Sequence, residues 1–222
     1  MDFSNIVRQI IVSAFPILIA ITFHEVAHGF VANRLGDHTA KMMGRLTLNP
    51  LAHIDLFGTI LLPFMLLIFT NGQFVFGYAK PVPINPMNFK NPKKDMAISA
   101  AAGPITNIIL AILSILILKF VLVPLVLFLP PSLGETIITP LILIFKSSVI
   151  INVILAAFNM IPIPPLDGGR VLTGLLPYKQ AITFSKIEPY GFIIVLFLII
   201  TGIANYFVIP LVNLFLKVLQ VF

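Results

Sequence analysis

The sequence predicts an all-α polytopic membrane protein with a three-helix core, a re-entrant loop carrying a short β segment, and additional C-terminal helices. Two observations predict it. Charged residues make up only 10% of the chain against 59% hydrophobic, with a mean hydropathy of +1.07, whereas a soluble domain carries about 25% charged residues. The apolar residues also gather into runs near the roughly 20 residues that cross a bilayer as helix. The 222 residues are long enough for roughly four to six such spans. That predicts a single membrane-embedded domain over 1–222, with its core at about 6–170 and C-terminal helices at 171–222. Cysteine is absent, which excludes disulfides and thiolate metal sites. The net charge of +6 sits in loops between apolar runs, which marks a membrane face and argues against nucleic acid as a partner.

The first apolar run, Ile6 to Leu35, has no small-residue cleavage signal and reads as a retained span. The second, Leu56 to Phe69, is interrupted by Gly58 and Pro63 and ends at Asn71-Gly72. It is short for a span and carries a helix breaker, so it reads as re-entrant. The third, about Ile98 to Val126, begins with "AAAGPITN", and the fourth, about Ile137 to Met160, runs into "IPIPPLDGGR". The last, Gly191 to Phe222, is broken by Gly202, Asn205 and Pro210. It reads either as one tilted helix or as a helix followed by a shorter amphipathic piece. With the second run re-entrant, ten of the fourteen Lys and Arg fall on one side, in loops 34–97 and 160–188. The positive-inside rule then predicts a multi-pass protein of the cell membrane with those loops cytoplasmic and the N-terminus outside.

The chemistry begins at "ITFHEVAHGF", residues 21–30. Titratable groups at membrane depth cost several kcal/mol unless a site uses them. His24-Glu25-Val26-Ala27-His28 fits H-E-x-x-H. On a helix the two imidazoles lie one turn apart on one face and can reach one metal ion, and Glu25 beside them can take a proton from a water. With four His and eight Asp plus Glu in the chain, chance places a carboxylate in such a pattern in roughly three sequences per thousand of this composition.

A catalytic zinc needs a third protein ligand and an open position. The other acidic residues are Asp2, Asp37, Asp55, Asp95, Glu135, Asp167 and Glu188. Most lie in polar loops and read as solvated charges. Asp167 differs, because it sits between a proline run and Gly168-Gly169 at the end of the fourth apolar run. Irregular backbone at that depth persists only where protein or a cavity covers it. Parity agrees. The His pair and Asp167 both lie at C-terminal ends of their helices, so they meet only if those helices run parallel. One crossing between them, and hence a re-entrant second run, satisfies this.

"HEVAH" in a membrane helix, "AAAGPITN" opening the next and "NMIPIPPLDGG" closing the third resemble the site-2 protease family of intramembrane zinc metalloproteases. The resemblance spans about Ile17 to Arg170 and is to the compact members without PDZ or CBS domains. It implies that His24, His28 and Asp167 bind one Zn2+ per chain and that Glu25 is the general base. Asn159 matches the family's polar position before the prolines and Asn107 the one after Gly-Pro, both as substrate-binding or supporting residues. It also implies a transmembrane protein as substrate, such as a single-pass regulatory protein, cut within or near its membrane helix in regulated intramembrane proteolysis.

A helix hides its peptide bonds in internal hydrogen bonds and must be unwound before it is cut. Residues 72–85, "GQFVFGYAKPVPIN", alternate like a strand and then turn to proline. They read either as an edge that receives an extended substrate or as a structural hairpin. Asn152, seven residues before Asn159 on one helical face, reads as an interhelical hydrogen-bonding residue. His38 and His53 read as polar loop residues, and Gly103-Pro104 as a place of close helix approach. A metal-ion transporter and an inactive scaffold are the rival classes. Glu25→Gln separates them from a hydrolase, which it disables without removing the metal. Substrate identity, regulation and oligomeric state are left open by the sequence.

Overall fold

The structure is a computed structural model, and its described residues are 3–69 and 77–220. The first apolar run forms α1 (Phe3–Arg34). The third forms α2 (Pro92–Ile117), continued through a π turn at Leu118–Leu122 into Val123–Val126. The fourth forms α3 (Thr139–Asn159). Beyond it lie α4 (Asp167–Leu175), α5 (Tyr178–Ser185), α6 (Gly191–Ile200) and α7 (Asn205–Gln220). Among the described residues, four segments are long and apolar enough to cross a membrane: Ala14–Arg34, Pro92–Val126, Pro131–Asn159 and Tyr178–Ile200. The last apolar run is therefore two helices, split at Gly202, whose φ of 75° only glycine adopts freely.

Local chemistry sets the boundaries. Pro92 occupies the first turn of α2, where its missing N–H costs nothing. Asp95 reaches back to accept the Asn91 N–H at 2.9 Å, closing the helix start. The second run begins as a π turn, Leu56–Leu61, whose start is capped by Asp55 accepting the Gly58 N–H at 2.7 Å. It ends in a short helix, Leu62–Phe69.

Polar contacts fix the direction of packing. Along α1 and α2, Asn107 meets Ala20 and His24, and Ser99 meets His28. Rising numbers on one helix pair with falling numbers on the other, so the two are antiparallel. Asn107 pairs with Asn152 and Ser114 with Ser148, so α2 and α3 are antiparallel too. It follows that α1 and α3 run parallel, as the parity argument requires. The chain between α1 and α2 leaves and rejoins the bundle at the same end.

The bundle is polar inside and apolar outside. Thr22, His24, His28, Ser99, Asn107, Ser114 and Asn152 are buried, whereas Phe15, Ile105, Ile109, Phe120, Phe192 and Phe197 are exposed. That pattern suits a lipid solvent, where apolar surface is free and polar groups need partners inside. Toward the far end Ile115, Leu118, Leu122, Val149 and Val153 pack together, with Leu211, Val212 and Phe215 of α7 against them.

One expectation needs correction. Of the short β segment anticipated in 72–85, residues 77–85 form no strand. Pro81 and Pro83 lack the N–H that a ladder needs on one edge. Residues 72–76, with Val75 and Phe76, lie outside the described residues.

Candidate metal centre

Helix α1 presents His24 and His28 one turn apart, and the chain delivers Asp167 to them at the first residue of α4. Their ligand atoms converge tightly. His24 Nε2 lies 3.0 Å from His28 Nε2, and Asp167 Oδ2 lies 3.1 and 3.2 Å from the two. All three residues are buried. They form, among the described residues, the group of His and carboxylate ligand atoms close enough to hold a metal ion.

The outer hydrogen bonds fix which nitrogens carry protons. His28 Nδ1 faces the Ser99 carbonyl at 2.7 Å, an acceptor only, so this nitrogen donates. His24 Nδ1 faces Asn107 Oδ1 at 2.5 Å. The Asn107 amide cannot be reversed, because its Nδ2 donates to the Ala20 carbonyl (3.2 Å) and to Asn152 Oδ1 (2.8 Å). Asn152 is held in turn by donating Nδ2 to the Ser148 carbonyl at 2.8 Å. In its neutral form each imidazole therefore bears its proton on Nδ1 and turns a bare Nε2 lone pair inward. Asp167 Oδ2 has no hydrogen-bond donor and is fully enclosed. Three lone pairs facing one another across about 3 Å repel, and a cation resolves that conflict. The donor set, two imidazoles and a carboxylate with oriented outer partners, fits zinc.

Small residues make the convergence possible. A Cβ on Gly103 of α2 would stand 2.4 Å from His28 Nε2 and 2.7 Å from His24 Cε1. Gly168 lies against the Met160 carbonyl, where a Cβ would come within 2.3 Å. The proline loop thus folds back tightly enough to return Asp167 to α1.

Glu25 is half-buried, and its Oε2 accepts the Val82 N–H at 2.8 Å. Asn107 touches His24, as described. Asn159 donates Nδ2 to the Leu155 carbonyl one turn back in α3, and no hydrogen bond among the described residues ties it to the three converging side chains. His38 is an exposed loop residue bonded to Asn33. His53 is buried, reaches the Thr47 carbonyl at 2.9 Å and is not in the converging group. Two acidic residues read as solvated, Asp37 and Asp95, are in fact buried. The Ser99 carbonyl and the Val82 N–H had no signal in the sequence, because backbone groups carry none. Asn152 had one, as an amide in an apolar run, but its link to His24 through Asn107 needed the helix register.

The chain's residues 12–202 match the model of peptidase family M50. The chain belongs to that family. This M50 protein is 38% identical over 197 residues to the "Putative zinc metalloprotease YwhC" of Bacillus subtilis, covering 89% of this chain and 84% of the relative. It is 29% identical over 192 residues to the "Putative zinc metalloprotease Rip2" of Mycolicibacterium smegmatis, covering 85% of this chain and 66% of that one. No solved structure matches it. The M50 protein is a membrane zinc metalloprotease, a hydrolase of peptide bonds, of the site-2 protease type.

Proposed function

We propose that this protein is an intramembrane endopeptidase. It cuts peptide bonds within or near transmembrane helices of membrane-protein substrates, with zinc held by His24, His28 and Asp167 and with Glu25 as general base. The observation that carries this reading is the buried convergence of two bare Nε2 atoms and an undonated carboxylate oxygen within 3.2 Å of one another. When bound there, zinc supplies Lewis acidity that acidifies water and polarises the scissile carbonyl.

The chain's own residues do the rest. Glu25 takes a proton from the attacking water as the C–O bond forms. It then passes that proton to the departing amine as the C–N bond breaks, so that no net charge is left behind. Asn107 and the Ser99 carbonyl hold both imidazoles in the tautomer that offers Nε2. Asn159 stands at the end of α3, where a substrate carbonyl would pass. The whole of 1–222 acts as one membrane-embedded domain. Loops 34–97 and 160–188 face the cytoplasm and the N-terminus faces outside, because the chain between α1 and α2 starts and ends at one end of the bundle and carries the basic residues. Leu56–Phe69 then dips into the bilayer and returns.

The test is zinc content together with cleavage of a model transmembrane substrate in detergent, for wild type, Glu25→Gln and Asp167→Ala. Glu25→Gln keeps zinc and loses cleavage, while Asp167→Ala loses zinc. An active Glu25→Gln would remove the base assignment, and an Asp167→Ala protein with full zinc would remove the third ligand.

A further inference from the structure

Asp37 is fully buried just beyond α1 and has no ion-pair partner among the described residues. A lone buried carboxylate is costly unless hydrogen bonds answer it. Here Oδ1 accepts from the Thr39 N–H (3.1 Å), the Thr39 hydroxyl (2.5 Å) and Asn88 Nδ2 (2.8 Å), and Oδ2 accepts the Asn85 N–H (2.7 Å). Half of that network belongs to the segment 78–88, which is extended as far as Asn85 and closes in a 3-10 turn at Pro86–Asn88.

The same segment also reaches Glu25. Its N–H groups are taken in order by the Gly58 carbonyl (Tyr78, 3.0 Å), the His53 carbonyl (Lys80, 3.0 Å) and Glu25 Oε2 (Val82, 2.8 Å). A spacing of two residues is one edge of an extended chain. Glu25 thus occupies the place that a backbone carbonyl holds in the two preceding rungs. Pro81 and Pro83 alternate with these donors and offer no N–H to compete. The Val82 side chain is buried against Gly29, where a Cβ on the helix would come within 2.7 Å of Val82 Cγ1. The strap therefore lies close on α1, one turn beyond Glu25.

We infer that Asp37 is a positioning residue for Glu25: it fixes the register of the strap 78–88, so that the Val82 N–H holds one carboxylate oxygen and leaves the other to carry the proton. This rests on the reading of Glu25 as the base. The sequence places Asp37 in a polar loop, twelve residues from Glu25, and only the fold connects the two through the strap. Preorganisation of this kind matters because a reacting group must keep its geometry within a fraction of an ångström.

Asp37→Asn tests it. An amide presents one acceptor and one donor, so it cannot satisfy both the Asn85 N–H and the donors at the other oxygen. In the zinc-loaded full chain we expect faster hydrogen–deuterium exchange at residues 78–85, unchanged zinc content, and kcat down about 10-fold with KM unchanged. Asn88→Ala removes one leg of the network at an exposed residue, and gives a smaller change of the same sign should Asp37→Asn fold poorly. Faster exchange with wild-type kcat would reduce the strap to a cover and overturn the inference. A rise in kcat would make the strap a restraint on the base, and unchanged exchange would mean that Asp37 does not hold it; either overturns the inference. Activity on unfolded soluble peptides but on no membrane-spanning segment would instead overturn the substrate reading. The Asp37 comparison would then be read on the soluble peptide.

Discussion

Each histidine of the centre spends one ring nitrogen on an oxygen of α2 and turns the other inward. The oxygen that serves His24 belongs to Asn107, and Asn107 is itself held by Asn152. Asn107→Leu removes the acceptor, frees the tautomer and weakens zinc retention against a chelator by about 10- to 100-fold. Asn152→Leu acts only through Asn107 and has the smaller effect on the same measurement. Gly103→Ala drives a methyl into both imidazoles. Because the obstacle lies on a packed helix, the expected outcome is folded protein with little bound zinc, read by metal analysis after size exclusion.

At the scale of elements, the strap and the proline loop are the parts that tertiary contacts must hold. Burial pushes the Asp37 carboxyl up, but its hydrogen bonds to Thr39, Asn88 and Asn85 outweigh this and hold it below the usual carboxylate range. A depressed value means the stabilisation is complete above the unfolded value, near pH 4, and is lost as pH falls through the folded one. Exchange protection of 78–88 should therefore be flat from neutral pH down to about 4 and fall only below it. Loss of protection already at pH 6 would assign the hold to another group. The proline loop is braced from the other side by α6: a Cβ on Gly191 would stand 2.1 Å from the Pro164 carbonyl. Gly191→Ala pushes on backbone, so a loss of about 1–3 kcal/mol in stability is expected. Weaker zinc binding should accompany it, although residue 191 lies far along the chain from Asp167.

For the whole molecule, the orientation proposal is open to direct test because the chain has no cysteine. Single cysteines at Lys90 and Lys179, both exposed, should react with a membrane-impermeant maleimide in inside-out vesicles and not in intact cells. Labelling of the two from opposite sides would refute the shared cytoplasmic face. On the proposed ligand set, metal would also tie the bundle together, since His24 and His28 lie on α1 and Asp167 begins α4. Stripping zinc should lower the melting temperature in detergent and re-addition restore it, the stabilisation being about 2.7 kcal/mol when free zinc is 100 times its Kd.

The sequence by itself determined the solvent, the long apolar helices of the core and the three side chains that converge. Few charges and long apolar runs leave a chain no soluble fold, and the i, i+4 spacing of His24 and His28 puts two imidazoles on one helical face wherever that helix packs. Asp167 was legible because prolines and glycines at membrane depth are intolerable without a purpose. What only the tertiary structure decided lies between elements: which oxygen orients each imidazole, which residue Asn152 serves, and that Asp37 and Glu25 grip one strap. Those relations depend on helix register and on backbone donors, and a backbone N–H is written identically at every position but proline. For the same reason the alternation in 72–85 read as strand, whereas the described donors of that segment went singly to two carbonyls and two carboxylates.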